Sequence, residues 1–556
     1  SLTDRACTAG AIGAARGKGS GLPAETQKAQ PSQHSKIAAP QHPVGHTHKT
    51  YQGENMQLTR TVKFVSAALL ALGAHAAHAN KADNSLNIAF DAAPATLDAY
   101  KESDRPGLAL ARMVFSGLLQ KNQDTGEFGP AIATGYKFVN DTTIELPIRR
   151  DVKFHDGSLL TIDDVLYTLN LVSSDAFKAR FQNQVAWIAK AEKVGDDTVR
   201  IKMKTPYPLA LEMLSENLPI YPRKYYEANQ SDMGAKPIGT GPYRLTDSQP
   251  GSRYVYERFD DYFGPKPAVQ KLVVRVLPDA NTQYAELLSG GLDWIWRVPP
   301  DVAKRMEKTP SVTVKSSSIM RISYISLNPR FDDGKSPLAK QEVRQAINHA
   351  IDREAIRKAL VGGASKVINA ACNPAQFGCT ADVQSYKFDP ARAKQLLAQA
   401  GYPNGITLDL VISAPPRSIL DAAAAQMAQA GIKVNLVEQQ YGTAMTNWRE
   451  GKTAMLASNW GSYGIADAAL STSNFFRGGP DDQARNPEVI KLLESADTSI
   501  DRDLRAKNYA AALKIVADQA YWVPLWNHSL NAVQAKDLNF SVDGDEFPRF
   551  YKASWK

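Results

Sequence analysis

About thirty residues in the second half of the chain restrict the fold more than any other stretch. Thr407 to Ile412 has a strand pattern, Leu420 to Ala430 is an alanine-rich helix pattern stopped by Gly431, and Ile432 to Val437 is a second strand pattern. A strand, a helix and a strand in so short a span form a βαβ unit, whose strands run parallel with a right-handed crossover. Parallel strands need helices on their faces, so the chain predicts an α/β architecture. The neighbouring segments agree. Asp389 with Pro390 opens a helix whose stripe is Ala393, Leu396, Leu397 and Ala400, and Gly401 ends it. Met455–Trp460 and Tyr521–Leu525 read as strands, with a long helix over Arg502–Gln519. In the first half, strands are expected at Ser85–Phe90, Thr142–Arg149 and Leu272–Leu277. Helices are expected over Leu108–Leu118 and from the capping pattern at Thr161–Asp164.

Charge is unevenly placed along the 556 residues. Residues 1–79 hold eight Lys/Arg against three acids, so +5 of the formal +8 sits there and the other 477 residues carry only +3. The folded part is nearly neutral and gives no case for nucleic-acid binding. Only His155, His349 and His528 follow residue 80, too few for a multi-histidine metal centre. No metal and no cofactor is expected.

Residues 1–55 lack apolar periodicity and read as a disordered upstream extension. From Met56 the pattern changes: Arg60 and Lys63, then the apolar core Phe64–Gly73, then Ala77-His78-Ala79 before Asn80. This is the pattern of a secretory signal peptide over 56–79, its core too short to span a bilayer. In the oxidising compartment that export implies, Cys372 and Cys379 are expected to form one local disulfide.

Ligands of open α/β sheets bind beyond the carboxyl ends of the parallel strands. Two loops qualify. Ser413–Ser418 places Arg417 where a helix begins, suited to clamping a carboxylate, although a solvated surface role stays open. Trp460-Gly461-Ser462-Tyr463 offers an aromatic wall and close backbone approach, with a core role for Trp460 as the alternative. Trp294, Trp296 and Arg297 are a third candidate, from the opposite side; the tryptophans fit a hydrophobic plug or core equally well. After residue 80 no H-E-x-x-H, G-x-S-x-G or phosphate-loop motif occurs, so an enzyme is not expected; a secreted hydrolase is the alternative from another class.

The stretch Arg150-Asp151-Val152-Lys153-Phe154-His155-Asp156-Gly157, followed by Thr161–Val165, resembles the signature of the family 5 extracellular solute-binding proteins. Further matches are Pro237–Tyr243, Asp261–Pro267, Ala285–Leu287 with Gly290 and Asp293, Val343–Arg353, and Phe388–Pro390 through Ala400–Pro403. The resemblance covers about residue 84 to the C-terminus. It implies the type II periplasmic binding-protein fold, a Venus-flytrap of two α/β lobes. Lobe 1 is expected over 80–320 with an inserted subdomain at about 123–236, lobe 2 over 321–525, and a return to lobe 1 over 526–556. It further implies a monomeric periplasmic receptor that encloses a small solute or peptide and delivers it to an inner-membrane ABC permease. Arg417 stands where dipeptide-binding members hold the ligand carboxylate. Tyr463 stands where they carry an acid for the amino group, with Asp467 nearby as a substitute. An opine, a sugar acid or a metal chelate is the alternative ligand.

Overall fold

The structure, a computed structural model, describes residues 79–230 and 232–556. The expected extension (1–55) and signal peptide (56–79, save Ala79) lie outside the described residues. The strands, in chain order, are β1 (Ser85–Phe90), β2 (Leu119–Lys121), β3 (Phe128–Pro130), β4 (Lys137–Asn140), β5 (Thr143–Pro147), β6 (Ile188–Val194), β7 (Thr198–Met203), β8 (Tyr243–Gln249), β9 (Arg253–Arg258), β10 (Lys271–Val276), β11 (Trp294–Ile295), β12 (Val312–Leu327), β13 (Ile406–Ile412), β14 (Ile432–Glu438), β15 (Met455–Trp460) and β16 (Trp522–Ala535). Ten of them form one mixed sheet in the order β14-β13-β15-β12-β16-β11-β1-β10-β9-β8.

The βαβ unit stands as its sequence pattern requires. β13 and β14 pair in parallel from Ile406↔Ile432 to Ile412↔Glu438. The helix between them, Arg417–Gln429, buries Ile419, Leu420, Ala423 and Met427. Gly431 sits at φ 85°, a left-handed turn that glycine adopts without strain.

Two long strands, β12 and β16, run the breadth of the sheet and pair antiparallel from Val312↔Ala535 to Ser326↔Trp522. Their register breaks between Ser318↔Ser529 and Ile322↔Asn527. The partners change at the same place. Residues 322–327 of β12 bond β15, whereas Val533 and Gln534 of β16 bond β11. The apolar cores divide there too. One gathers Leu86, Phe90, Leu110, Ile319, Leu530 and Phe550; another gathers Ile325, Leu410, Leu420, Met455 and Trp526. A separate antiparallel sheet, β4-β5-β7-β6, packs against the helix Ile162–Val172. The start of that helix is fixed by the Asp164 carboxylate, which accepts the amide and the hydroxyl of Thr161 at 2.8 and 2.7 Å.

Cys372 and Cys379 are joined. The loop they close is stitched to its surroundings: Asn373 donates to the Ile319 carbonyl at the register break, and the Gln376 amide donates to the carbonyls of Ile465 and Asp467.

Candidate functional site

The helix Arg105–Val114 begins with Asp104 at its N-cap and Pro106 in its first turn, where a missing N–H costs nothing. One side of it, carrying Arg105, Leu108 and Arg112, faces a cavity of about 310 Å³. Arg180 and Phe181 close it from the loop before β6, Tyr463 from the loop after β15, and Phe547 from the C-terminal segment.

The cationic wall is largely neutralised from behind. Arg112 lies 3.4 Å from the Phe547 ring centroid and reaches Glu216 at 3.2 Å and Asp545 at 3.4 Å. Arg549 is 1 % exposed and bonds Glu216, Asp543 and Asp545. Burial pushes the Glu216 carboxyl up, but Arg549 and Arg112 outweigh it and hold the group below its ordinary range. Asp545 is held low against the same burial by Arg549 and Arg112. Arg105 lies over Phe547 and 3.9 Å from Glu546; burial, joined by the like charges of Arg321 and Arg112, pulls it down to about 10. It stays protonated at neutral pH. Arg180 differs: among the described residues it lines the cavity, is exposed and makes no ion pair. The Asp104 carboxylate, also exposed in the lining, makes none either and caps no backbone N–H.

The cavity wall connects to the register break. Glu546 sits at φ 70°, left-handed and strained for a residue with a side chain. It is held there by Arg321, whose Nε and Nη2 donate to it at 3.1 and 3.2 Å. Arg321 Nη1 donates across to Asn459 Oδ1 of β15 at 2.8 Å. Gly461 follows closely: a Cβ there would stand 2.9 Å from Arg321.

Of the residues singled out from sequence as ligand contacts, Tyr463 alone lines this cavity. Its ring lies 5.5 Å from Phe181 and 5.2 Å from Trp460, and burial, with Tyr441 and Asp481 nearby, pushes its hydroxyl up. Trp460 packs edge-on against Phe475 and donates its indole N–H to the Leu470 carbonyl; Ser462 is buried beneath the loop. Trp294 and Trp296 correct the expectation of a wall facing the ligand. Both are core residues among Phe90, Phe540 and Phe550, because the strand pairing of β11 with β1 and β16 turns that face inward. Arg297 lies over Trp296 and 3.7 Å from Asp91. Arg417 is 53 % exposed and outside the cavity lining; Glu438, brought alongside by the parallel strand β14, takes its guanidinium at 2.9 Å, and Asp421 one turn on lies at 3.6 Å. Asp467 is 4 % exposed and bonded to Arg505 at 2.8 Å, so it is not a free counter-charge. Sequence reading missed Arg105, Arg112, Arg180, Phe181 and Phe547. The one local signal was the helix start at Asp104-Arg105-Pro106, and nothing local says that positions 105, 180, 463 and 547 meet.

Residues 127–483 match the model of the bacterial extracellular solute-binding proteins, family 5 Middle. The chain is 29% identical over 459 residues to Heme-binding protein A of Haemophilus influenzae, covering 75% of this chain and 82% of that protein. It is 28% identical over 461 residues to Glutathione-binding protein GsiB of Salmonella choleraesuis, covering 80% and 89%. The solved structure of HbpA2 from Haemophilus parasuis superposes with a TM-score of 0.76 at 25% identity, over 85% of this chain and all of that one. The matched segment takes in the signature loop at Arg150–Gly157, the sheet β4-β5-β7-β6, the β12 side of the register break and the loop that carries Tyr463. The chain therefore belongs to the bacterial extracellular solute-binding proteins of family 5, the solute-capturing components of ABC importers.

Proposed function

We propose that this chain captures a carboxylate-bearing, peptide-like solute in the cavity beside the helix Arg105–Val114 and presents it to a membrane ABC permease, with no covalent step. The observation that carries this reading is Arg180. Among the described residues its guanidinium makes no ion pair, in a lining whose other arginines are compensated by acids behind them. A carboxylate leaving water needs a charged partner, and a guanidinium fork gives it two parallel bonds. Phe181, Phe547 and Tyr463 supply apolar surface for the body of the ligand, and Asp104 offers an acid for an ammonium group. Heme and glutathione, the ligands named for the two relatives, both carry carboxylates.

In this reading the register break at 318–322 is the hinge between the lobe formed by residues 80–320 with 526–556 and the lobe formed by 321–525. Ligand touching Arg180 on one lobe and Tyr463 on the other shifts the population toward the closed state. Export through residues 56–79 and action as a monomer complete the proposal.

Solute released by denaturing freshly purified protein and weighed by mass spectrometry identifies the ligand class. Calorimetric titration with glutathione, a dialanine peptide and haemin then tests the anchor, with melting temperature followed in parallel. A carboxylate ligand is expected to stabilise the protein without turnover. Arg180→Ala is expected to weaken it at least tenfold, about 1.4 kcal/mol. Equal affinity for the acid and its amide would overturn the carboxylate anchor.

A further inference from the structure

The loop after β15 holds Tyr463 against the cavity in a strained conformation. Ser462, Tyr463 and Gly464 sit at φ 50°, 51° and 79°, left-handed residues in a row of which the first two carry side chains. Within the turn the Gly464 N–H donates to the Gly461 carbonyl at 3.0 Å and the Ile465 N–H to the Ser462 carbonyl at 2.8 Å. A strained turn persists only where its surroundings over-determine it.

The disulfide loop supplies that restraint. Three consecutive carbonyls just past the turn are taken by two consecutive residues of the loop. The Gln376 side-chain amide donates to Ile465 at 3.1 Å and to Asp467 at 3.2 Å, and the Phe377 N–H donates to Ala466 at 3.0 Å. The Phe377 carbonyl accepts the Ala468 N–H in return at 2.9 Å, a single rung of parallel pairing between Phe377 and Asp467. Gln376 is buried and uses both ends of its amide, since Oε1 accepts the Asn373 N–H at 3.1 Å. The bond between Cys372 and Cys379, seven positions apart, closes this segment on itself. Cys372 is anchored in the core with Ile322 and Tyr324, and Cys379 is half-buried. So short a closed loop has few alternative conformations, and it presents the Gln376 amide in a fixed place.

Resting on the reading above, the structure assigns Gln376 as a positioning residue for the ligand contact at Tyr463, with the Cys372–Cys379 bond as its brace. Neither lines the cavity. Both act through the loop: with the brace intact the Tyr463 ring already stands where ligand meets it, and binding does not have to order it. With the brace broken, residues 462–468 are free to leave the left-handed turn while the pairing of β12 with β15 remains.

The test places a single 3-fluorotyrosine at position 463 and follows its fluorine resonance, with glutathione titrated by calorimetry and melting temperature read in parallel. The parent protein is expected to give one narrow resonance. Gln376→Ala should broaden or split it and weaken glutathione at least about fivefold. Reduction by dithiothreitol, in which Cys372 and Cys379 each gain a hydrogen and the reagent closes to its cyclic disulfide, should do the same. Cys372→Ala with Cys379→Ala serves where the reagent does not reach the bond. A merely structural role would lower the melting temperature and leave the resonance of the folded protein where it was; that result overturns the positioning role. A disturbed resonance with unchanged affinity overturns it too, because Tyr463 is then not a contact that needs placing. A disturbed resonance in a protein that binds none of glutathione, the dialanine peptide and haemin supports the brace and counts against the solute reading instead.

Discussion

The two walls of the ligand cavity handle charge in opposite ways. On the first wall four arginines, at 105, 112, 321 and 549, share Glu216, Asp543, Asp545 and Glu546, and Arg180 stands outside the network, without an ion pair among the described residues. On the second wall the charges singled out from sequence are closed off in pairs: Arg417 with Glu438 and Asp421, Asp467 with Arg505. What that wall offers to the cavity is Tyr463. The difference teaches where recognition sits. Charges that are already paired, as at Arg417 and Asp467, meet a ligand without stripping water from an uncompensated ion. In the proposed function, charge selection therefore falls to Arg180.

The largest effect tests the sealed pair of the second wall. Arg505 and Asp467 are 3 and 4 % exposed, and a Tyr509 hydroxyl and the Ala496 carbonyl complete the guanidinium's partners. Arg505→Ala leaves the Asp467 carboxylate buried without its cation, with only the Ala469 N–H still donating to it, and is expected to cost about 3–5 kcal/mol of stability by urea titration. A loss below about 1 kcal/mol would mean that Asp467 is open to solvent and available to a ligand ammonium, and the contrast between the walls would fail.

The seam between the walls carries a titrating group. His528 lies on β16 beside the register break, its Nε2 2.7 Å from the Ser323 hydroxyl, and burial, followed by the charge of Arg321, pulls it from 6.5 down to about 4. The fold thus refuses a proton that the unfolded chain accepts. This histidine's contribution is present in full above about pH 6.5 and is lost as pH falls toward about 4, at up to ~1.4 kcal/mol per unit. His155, pulled to about 4 by its own burial, adds the same sign. His528→Asn should remove its share of that slope in denaturation curves recorded from pH 7 to 4. An unchanged slope would show that the seam admits the proton.

Local pattern gave the elements and not their meeting. The strand expected at Ser85–Phe90 and that at Met455–Trp460 stand at those bounds, and the parallel pairing of β13 with β14 followed from the single helix that carries the chain back between them. These are signals of period, cap and glycine stop, all read within a dozen residues. β12 had no such signal. Its sixteen residues carry Lys315, Ser316, Ser317, Ser318 and Arg321 through the middle, where the strand is exposed on both faces and the register breaks. The tryptophan pair illustrates the same limit. Alternation placed Trp294 and Trp296 on one face correctly, but which face looks inward was decided by β16, more than two hundred residues away. Arg180 and Phe181 sit in a loop with no pattern of its own, and gain their role from Tyr463 and Phe547 across the cavity.

Arg417 gives the smallest expected effect and the sharpest test of the contrast. From sequence it is the natural anchor, a guanidinium at a helix start beyond a parallel strand. Sequence does not show that β14, in register with β13, ends in Glu438 beside it. Both partners are more than half exposed, so solvent screens the bridge and it contributes little to stability. Arg417→Ala should accordingly leave the melting temperature in place and change ligand affinity less than about twofold, ~0.4 kcal/mol. If affinity instead falls tenfold, the guanidinium leaves Glu438 and reaches the ligand when the lobes close. The second wall would then hold a charge released by closure, and the division of labour between the walls would have to be redrawn with an anionic contact on each.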